Sequence, residues 1–326
     1  MAAADQIKSL IKSFGEADEA RFYATAMQIA AGEARSGHTA LAEELKKLID
    51  QAKLGRNTAL GVVKSLPVSA SQRELGDLLE LIHPSEKLKE MVLAPNLSKS
   101  LKRVLDEQKK IEILRKNNLF PRKKLLFIGP PGCGKTMSAR VLASELAIPL
   151  FIIRLDGLIS RYMGESIAKL RLIFDSMKQF RAVYLFDEFD SIGTTRSQGN
   201  EVGEIKRVLN AFLMQIEKDS SNSLIIAATN YPDSLDKALF RRFDDIIQYP
   251  LPTVEEIYKL FKKEFFDFKL SKKFDLHRIA AHSDGLSYAD IHRICADTIK
   301  DFLVYGAEEA SEEKLINYAL MRKQPY

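Results

Sequence analysis

Gly129-Pro130-Pro131-Gly132-Cys133-Gly134-Lys135-Thr136 is the stretch on which the reading of this chain turns. It follows the apolar run Leu125-Leu126-Phe127-Ile128 and opens into Met137-Ser138-Ala139-Arg140-Val141-Leu142-Ala143, a helical pattern. The order is strand, glycine loop, helix, with G-x-x-x-x-G-K-T at the junction. Glycines let successive backbone N–H groups turn inward around phosphate oxygens, and the helix N-terminus adds its positive end. Lys135 then offers a point charge to the β- and γ-phosphates, and the Thr136 hydroxyl is a ligand for Mg²⁺. A plain glycine turn before a helix needs none of this spacing. The stretch implies a site for a nucleoside triphosphate.

Further strand-length apolar runs follow: Leu150-Phe151-Ile152-Ile153, Ala182 to Phe186, Leu224 to Ala228, and Ile246-Ile247. Helical patterns separate them, and near-continuous apolar strands suit a parallel sheet covered on both faces. The expected fold class is α/β, a parallel sheet sandwiched by helices, spanning 96–252. Beyond Pro252 only helical periodicity remains, so 253–326 reads as a smaller helical lid domain. Residues 1–65 read as a small helical module for docking a partner, with Phe22, Ala26, Ile29 and Ala30, then Leu41, Leu45, Leu48 and Ile49, at helical spacing. Between module and core, 66–95 is punctuated by Pro67, Pro84 and Pro95 and reads as a linker, with a short strand or turn at Glu80-Leu81-Ile82-His83.

Composition bounds the function. With 326 residues, 46% hydrophobic and 29% charged, the chain has the make-up of a globular protein of more than one domain. The net charge of +5 is dispersed and gives no basic recognition patch. Two cysteines, Cys133 and Cys295, are too few for a disulfide framework and suit a reducing cytoplasm. No stretch is apolar and long enough to span a bilayer, and no secretory signal opens the chain.

The strand ending at Phe186 runs into Asp187-Glu188, about fifty residues after the phosphate loop. An aspartate there can support Mg²⁺, and the adjacent glutamate can polarise a water for attack on the γ-phosphate. Asp190 reads as an outer or solvated carboxylate. Ala227-Ala228-Thr229-Asn230 ends the next strand, where Asn230 could hydrogen-bond the γ-phosphate or the attacking water. Asp236-Lys237-Ala238-Leu239-Phe240-Arg241-Arg242-Phe243-Asp244 supplies two arginines before the last strand. Their planar, permanent charge suits phosphoryl transfer, and it could equally neutralise Asp244 and Asp245.

Taken together, these motifs resemble the AAA family of ATPases over about residues 90 to 320, with Asn230 as its sensor-1 residue. The resemblance implies ATP and Mg²⁺ as cofactors and a nucleotide held between subunits of a ring, usually six. Lys135, Thr136 and Asp187 would bind phosphate and metal, Glu188 would activate water, and Arg241 and Arg242 would act on the neighbour's ATP. Arg161-Tyr162-Met163-Gly164-Glu165 resembles the family's pore loop, with Tyr162 and Met163 gripping a polypeptide substrate. Gly285-Leu286-Ser287-Tyr288-Ala289-Asp290 resembles the start of the helix that closes over nucleotide, with Ala289 beside it. The Arg-Arg-Phe run is similar to the katanin/spastin branch. Met214-Gln215-Ile216-Glu217-Lys218-Asp219 departs from the family by lacking Asp-Gly-Phe. The helical N-terminus resembles bacterial members often encoded beside a subtilisin-like serine protease, which implies a separate protease partner. The function expected is a ring ATPase that remodels or threads protein. A nucleic-acid-associated ATPase, such as a loader or plasmid-maintenance or defence factor, is the alternative, testable by DNA or RNA stimulation. A non-hydrolysing switch conflicts with Glu188, and a GTPase conflicts with the lack of an Asn-Lys-x-Asp motif.

Overall fold

The apolar run before the phosphate loop lies inside a sheet. The computed structural model describes residues 19–35, 37–38, 41–47, 75–158, 164–193, 201–268, 274–306 and 311–323. Its strands are β1 (Leu79–Ile82), β2 (Lys124–Ile128), β3 (Leu150–Ile153), β4 (Val183–Phe186), β5 (Leu224–Thr229) and β6 (Asp245–Gln248). Their spatial order is β1-β3-β4-β5-β2-β6. All neighbours are parallel except β1, which runs antiparallel to β3. The segment expected as linker therefore contributes an edge strand to the sheet.

Alternation along each strand divides the core in two. Leu126, Tyr184, Phe186, Ile225 and Ala227 point to one face, under α6 (Glu165–Gln179) and α8 (Glu201–Lys218). Leu125, Phe127, Val183, Leu185, Ile226 and Ala228 point to the other, under α2 (Pro95–Lys109) and α4 (Lys135–Leu146). Such double coverage explains why the strands read as unbroken apolar runs. A separate helix, α3 (Ile111–Lys116), follows α2, and Leu97, Leu101, Val104 and Leu105, at helical spacing on α2, are buried.

Short helices α5 (Leu155–Leu158), α7 (Asp190–Gly193) and α9 (Lys237–Phe240) connect the larger elements. The lid comprises α10 (Val254–Glu264), α11 (Leu276–His282), α12 (Tyr288–Tyr305) and α13 (Glu312–Lys323) around its own apolar cluster. Three of these helices carry the sequence marks of a start. Thr253 with Glu256 and Ser287 with Asp290 form capping boxes, and Asp275 caps α11. Val92, from the expected linker, packs against the lid cluster.

The chain divides into two units, Met1–Pro67 and Val68–Tyr326. In the first, α1 (Glu19–Arg35) and residues 41–47 are helical. Ala30 and Ala42 are buried, whereas Leu41, expected on an inner face, is exposed. Leu48 and Ile49 lie outside the described residues. Among the described residues no helix is long and apolar enough to cross a membrane.

Candidate nucleotide site

Strand register assembles the site. Ile128 pairs with Thr229, and Phe186 with Ala227, so β2, β4 and β5 end at nearly one level. Gly129, Asp187 and Asn230 each follow one of these ends. The carboxyl ends of parallel strands, where the order switches about β2, are where open α/β sheets bind ligands.

Two glycines of the loop are required by close approach. Gly129 has φ +149°, and a side chain there would strike the backbone carbonyl of Tyr249. Gly132 has φ +73°, and a Cβ would meet Ser287 Oγ at 2.5 Å and Ala289 Cβ at 3.0 Å. Pro130 and Pro131 stiffen the approach, and Cys133 is buried beneath the loop, which pushes its thiol pKa up. Gly134, also at positive φ, is the N-cap of α4, whose first amides have no intrahelical acceptor and stay available to an anion.

Lys135 Nζ donates to the carbonyls of Gly129 (2.7 Å) and Pro130 (2.8 Å) and to Asn230 Oδ1 (2.8 Å). Burial lowers its pKa, while Cys133, Asp187 and Asp190 pull it back up. Thr136 Oγ1 donates to Asp187 Oδ2 at 2.6 Å. This hydroxyl and carboxylate are hard oxygen donors of the kind Mg²⁺ selects, and Lys135 matches the charge of phosphate. The donor set fits a Mg²⁺–nucleoside triphosphate.

The acidic pair is held by rings on both sides. Phe186 and Phe189 are fully buried against Phe212 of α8, with ring centroids 5.0 and 4.8 Å away. Asp187 Oδ1 accepts from Glu188 N at 3.0 Å. Glu188 itself is exposed at φ +49°, an uncommon conformation for a residue with a side chain, and such strain clusters at functional sites. Asp156, Asp187, Glu188 and Ser191 line one cavity of about 550 Å³ with Ile153 and Leu155.

Of the two roles expected for Asp190, outer or solvated carboxylate, the outer one forms. Its Oδ1 accepts from Thr229 Oγ1 (2.9 Å) and from Asn230 N (3.3 Å), so it fixes the strand end that presents Asn230. Ser287 and Met91 were missed as neighbours of the loop. Ser287 faces Gly132, Ala289 N donates to Gly132 O (3.1 Å), and Met91 Cε lies beside Gly134. The capping pattern at Ser287 was legible; Met91 carries no local signal.

Arg241 and Arg242 are not brought to this cluster. β6 runs parallel to β2 with Asp245 opposite Leu125, so residues before Asp245 sit at the amino end of β2. The phosphate loop is at the other end of that strand, about 16 Å away at 3.3 Å per residue. The alternative that the arginines neutralise Asp244 and Asp245 is not what forms. Asp244 accepts from the amides of Lys123 and Lys124, and Asp245 pairs with Arg122. Tyr162 and Met163 lie outside the described residues.

Known proteins bear on these features. The family described as "ATPase family associated with various cellular activities (AAA)" matches residues 125–251. An uncharacterized AAA family ATPase, y4kL, of Sinorhizobium fredii is 33% identical over 96% of this chain and 93% of its own length. A proteasome-activating nucleotidase of Methanosphaerula palustris is 33% identical over 73% of this chain, which spans 60% of that relative. The katanin p60 ATPase-containing subunit A1 of Strongylocentrotus purpuratus is 36% identical over 54% of this chain and 36% of its own length. The crystal structure of the FIGL-1 AAA domain superposes with a TM-score of 0.62 at 21% identity, covering 79% of this chain and 92% of that one, a likeness of fold. On 33% identity to y4kL over nearly the full length of both, with the phosphate loop, acidic pair and strand-end asparagine gathered as described, the chain belongs to the AAA family of ATPases.

Proposed function

We propose that this chain is a Mg²⁺-dependent ATPase that works as a ring, probing each nucleotide from two subunits and coupling its hydrolysis to remodelling or threading of polypeptide. The observation that carries the reading is the separation of the machinery. Lys135, Thr136, Asp187, Glu188 and Asn230 belong to the carboxyl ends of the strands, while Arg241 and Arg242 belong to the amino end of β2. A second copy can supply what the chain cannot bring to its own site.

In this reading the amides of Gly132 to Thr136 and the Lys135 ammonium bind the phosphates, and Thr136 and Asp187 hold Mg²⁺. The bound metal–nucleotide supplies the phosphoryl group. Glu188 accepts the proton of the attacking water, and Asn230 orients that water or the terminal phosphate. The turn that carries Arg241 and Arg242 faces the neighbouring site, where arginine charge offsets charge that develops during transfer. Ala289 and Ser287 couple the lid to the phosphate loop through Gly132.

Polypeptide as substrate rests on Tyr162-Met163-Gly164 in sequence and on the likeness to a proteasome-activating nucleotidase. A separate protease is the matching partner, with residues 1–65 as its docking module or that of an adaptor. Two buried, unpaired cysteines fit a cytoplasmic setting. The test is Tyr162→Ala. ATP hydrolysis should stay near the wild-type rate while unfolding of a tagged model protein is lost; unimpaired unfolding would contradict threading.

A further inference from the structure

The two adjacent arginines differ in their surroundings. Arg241 makes no ion pair among the described residues, whereas Arg242 Nη1 lies 2.5 Å from Glu217 Oε1. Glu217 is the penultimate residue of α8, 25 positions back along the sequence. The segment between the arginines and the sheet is firmly anchored. Asp236 caps α9 by accepting from Ala238 N, Leu239 and Phe243 are buried in the core, and Arg242 N donates to Leu239 O. Asp244 takes the amides of Lys123 and Lys124 at 2.9 Å each. Lys123 Nζ in turn reaches Asp219 Oδ2 at 2.6 Å, just past the end of α8. At this helix end Glu217 therefore holds the arginine segment directly, and Asp219 holds it through Lys123, whose amide donates to Asp244.

The same helix reaches the chain's own nucleotide site. Phe212, five residues before Glu217, is packed between Phe186 and Phe189, which flank Asp187-Glu188. Packed rings thus join the acidic pair to α8, and the Glu217–Arg242 pair joins α8 to the turn that carries Arg241. Close-packed interiors transmit strain, and rigid elements joined by packed side chains can carry coupling between sites.

Resting on the ring reading above, we infer that the arginines divide the work: Arg241 is the group that contacts the neighbour's nucleotide, and the Glu217–Arg242 pair is a positioning device. That pair ties the placement of Arg241 to the state of the chain's own site. Both members are half-exposed, with 42% and 44% of their side-chain surfaces open, so the pair contributes little to fold stability. Its effect is on geometry. Misplacing a catalytic group by an ångström costs up to about 10²-fold in rate, whereas deleting an arginine that acts on transferring phosphate costs about 10³-fold or more.

The experiment compares full-length Arg241→Ala, Arg242→Ala, Glu217→Gln, the double Glu217→Gln/Arg242→Ala and the swap Glu217→Arg/Arg242→Glu. ATPase kcat and KM, nucleotide affinity and melting temperature are measured on assembled protein. Arg241→Ala should lose about 10³-fold in kcat. Arg242→Ala and Glu217→Gln should lose similar, smaller factors of about 10- to 10²-fold, with KM and melting temperature unchanged. The double should be no worse than either single, and the swap should recover most of the loss. If Arg242→Ala matches Arg241→Ala while Glu217→Gln behaves as wild type, Arg242 is itself catalytic and the inference is overturned. Mixing Arg241→Ala with Glu188→Gln chains tests the underlying reading separately. Recovered activity supports arginines acting between copies; no recovery, with both parents inactive and co-assembled, sinks that reading whatever the pair does.

Discussion

Lys135 stands in the chain as a buried cation tied to two carbonyls and to Asn230. Nucleotide binding must exchange those partners for phosphate oxygens, and the side chain is already aimed at the loop it will serve. Lys135→Met should remove the stabilisation that bound nucleotide confers. For the wild type that gain is about 2.7 kcal/mol at a ligand concentration of 100 times Kd, read as a rise in melting temperature with MgATP. A variant that keeps the full rise would contradict the assignment. Proton linkage gives the same residue a second signature. Burial depresses its pKa, so its charge is lost at a lower pH than that of a solvated lysine, and nucleotide affinity should fall as pH rises through that lowered value. Fold stability moves the other way. The unfolded chain binds this proton more tightly, so stability rises between the depressed and the ordinary value.

The phosphate loop, its helix and the lid helix α12 meet at Gly132, where two backbone facts coincide: positive φ and no room for a methyl group beside Ser287 and Ala289. Gly132→Ala should push the lid off the loop and weaken ATP binding by more than tenfold, at a strain cost of about 1–3 kcal/mol. Isothermal titration checks it, and an unaltered affinity would separate the lid from the nucleotide site. How far these elements were legible in the sequence follows from the range of the forces that place them. The strand–loop–helix around Lys135, the apolar strands and the capped lid helices are set by neighbouring residues, so local pattern reveals them. β1 is four residues on a sheet edge with two of them exposed, and so short a segment carries little alternation. Glu217 with Arg242, Asp190 with Asn230, and Met91 with Gly134 are joined only when distant segments pack. No spacing in the sequence announces such pairs.

At the scale of the molecule, the sheet keeps the phosphate-binding groups and the arginines apart. That single topological fact, β6 running parallel beside β2, is the ground for the proposal that a second copy completes the site. Helix α8, with Phe212 against the rings beside the acidic pair and Glu217 on Arg242, spans from the chain's own site to the arginine turn. The most direct test of the central claim is ATPase rate per chain against protein concentration, followed alongside oligomeric state by light scattering, with and without an unfolded polypeptide. Rate per chain should rise with concentration as chains assemble, level off when assembly is complete, and rise further with polypeptide. A constant rate per chain down to dilutions at which only monomer scatters would contradict the account.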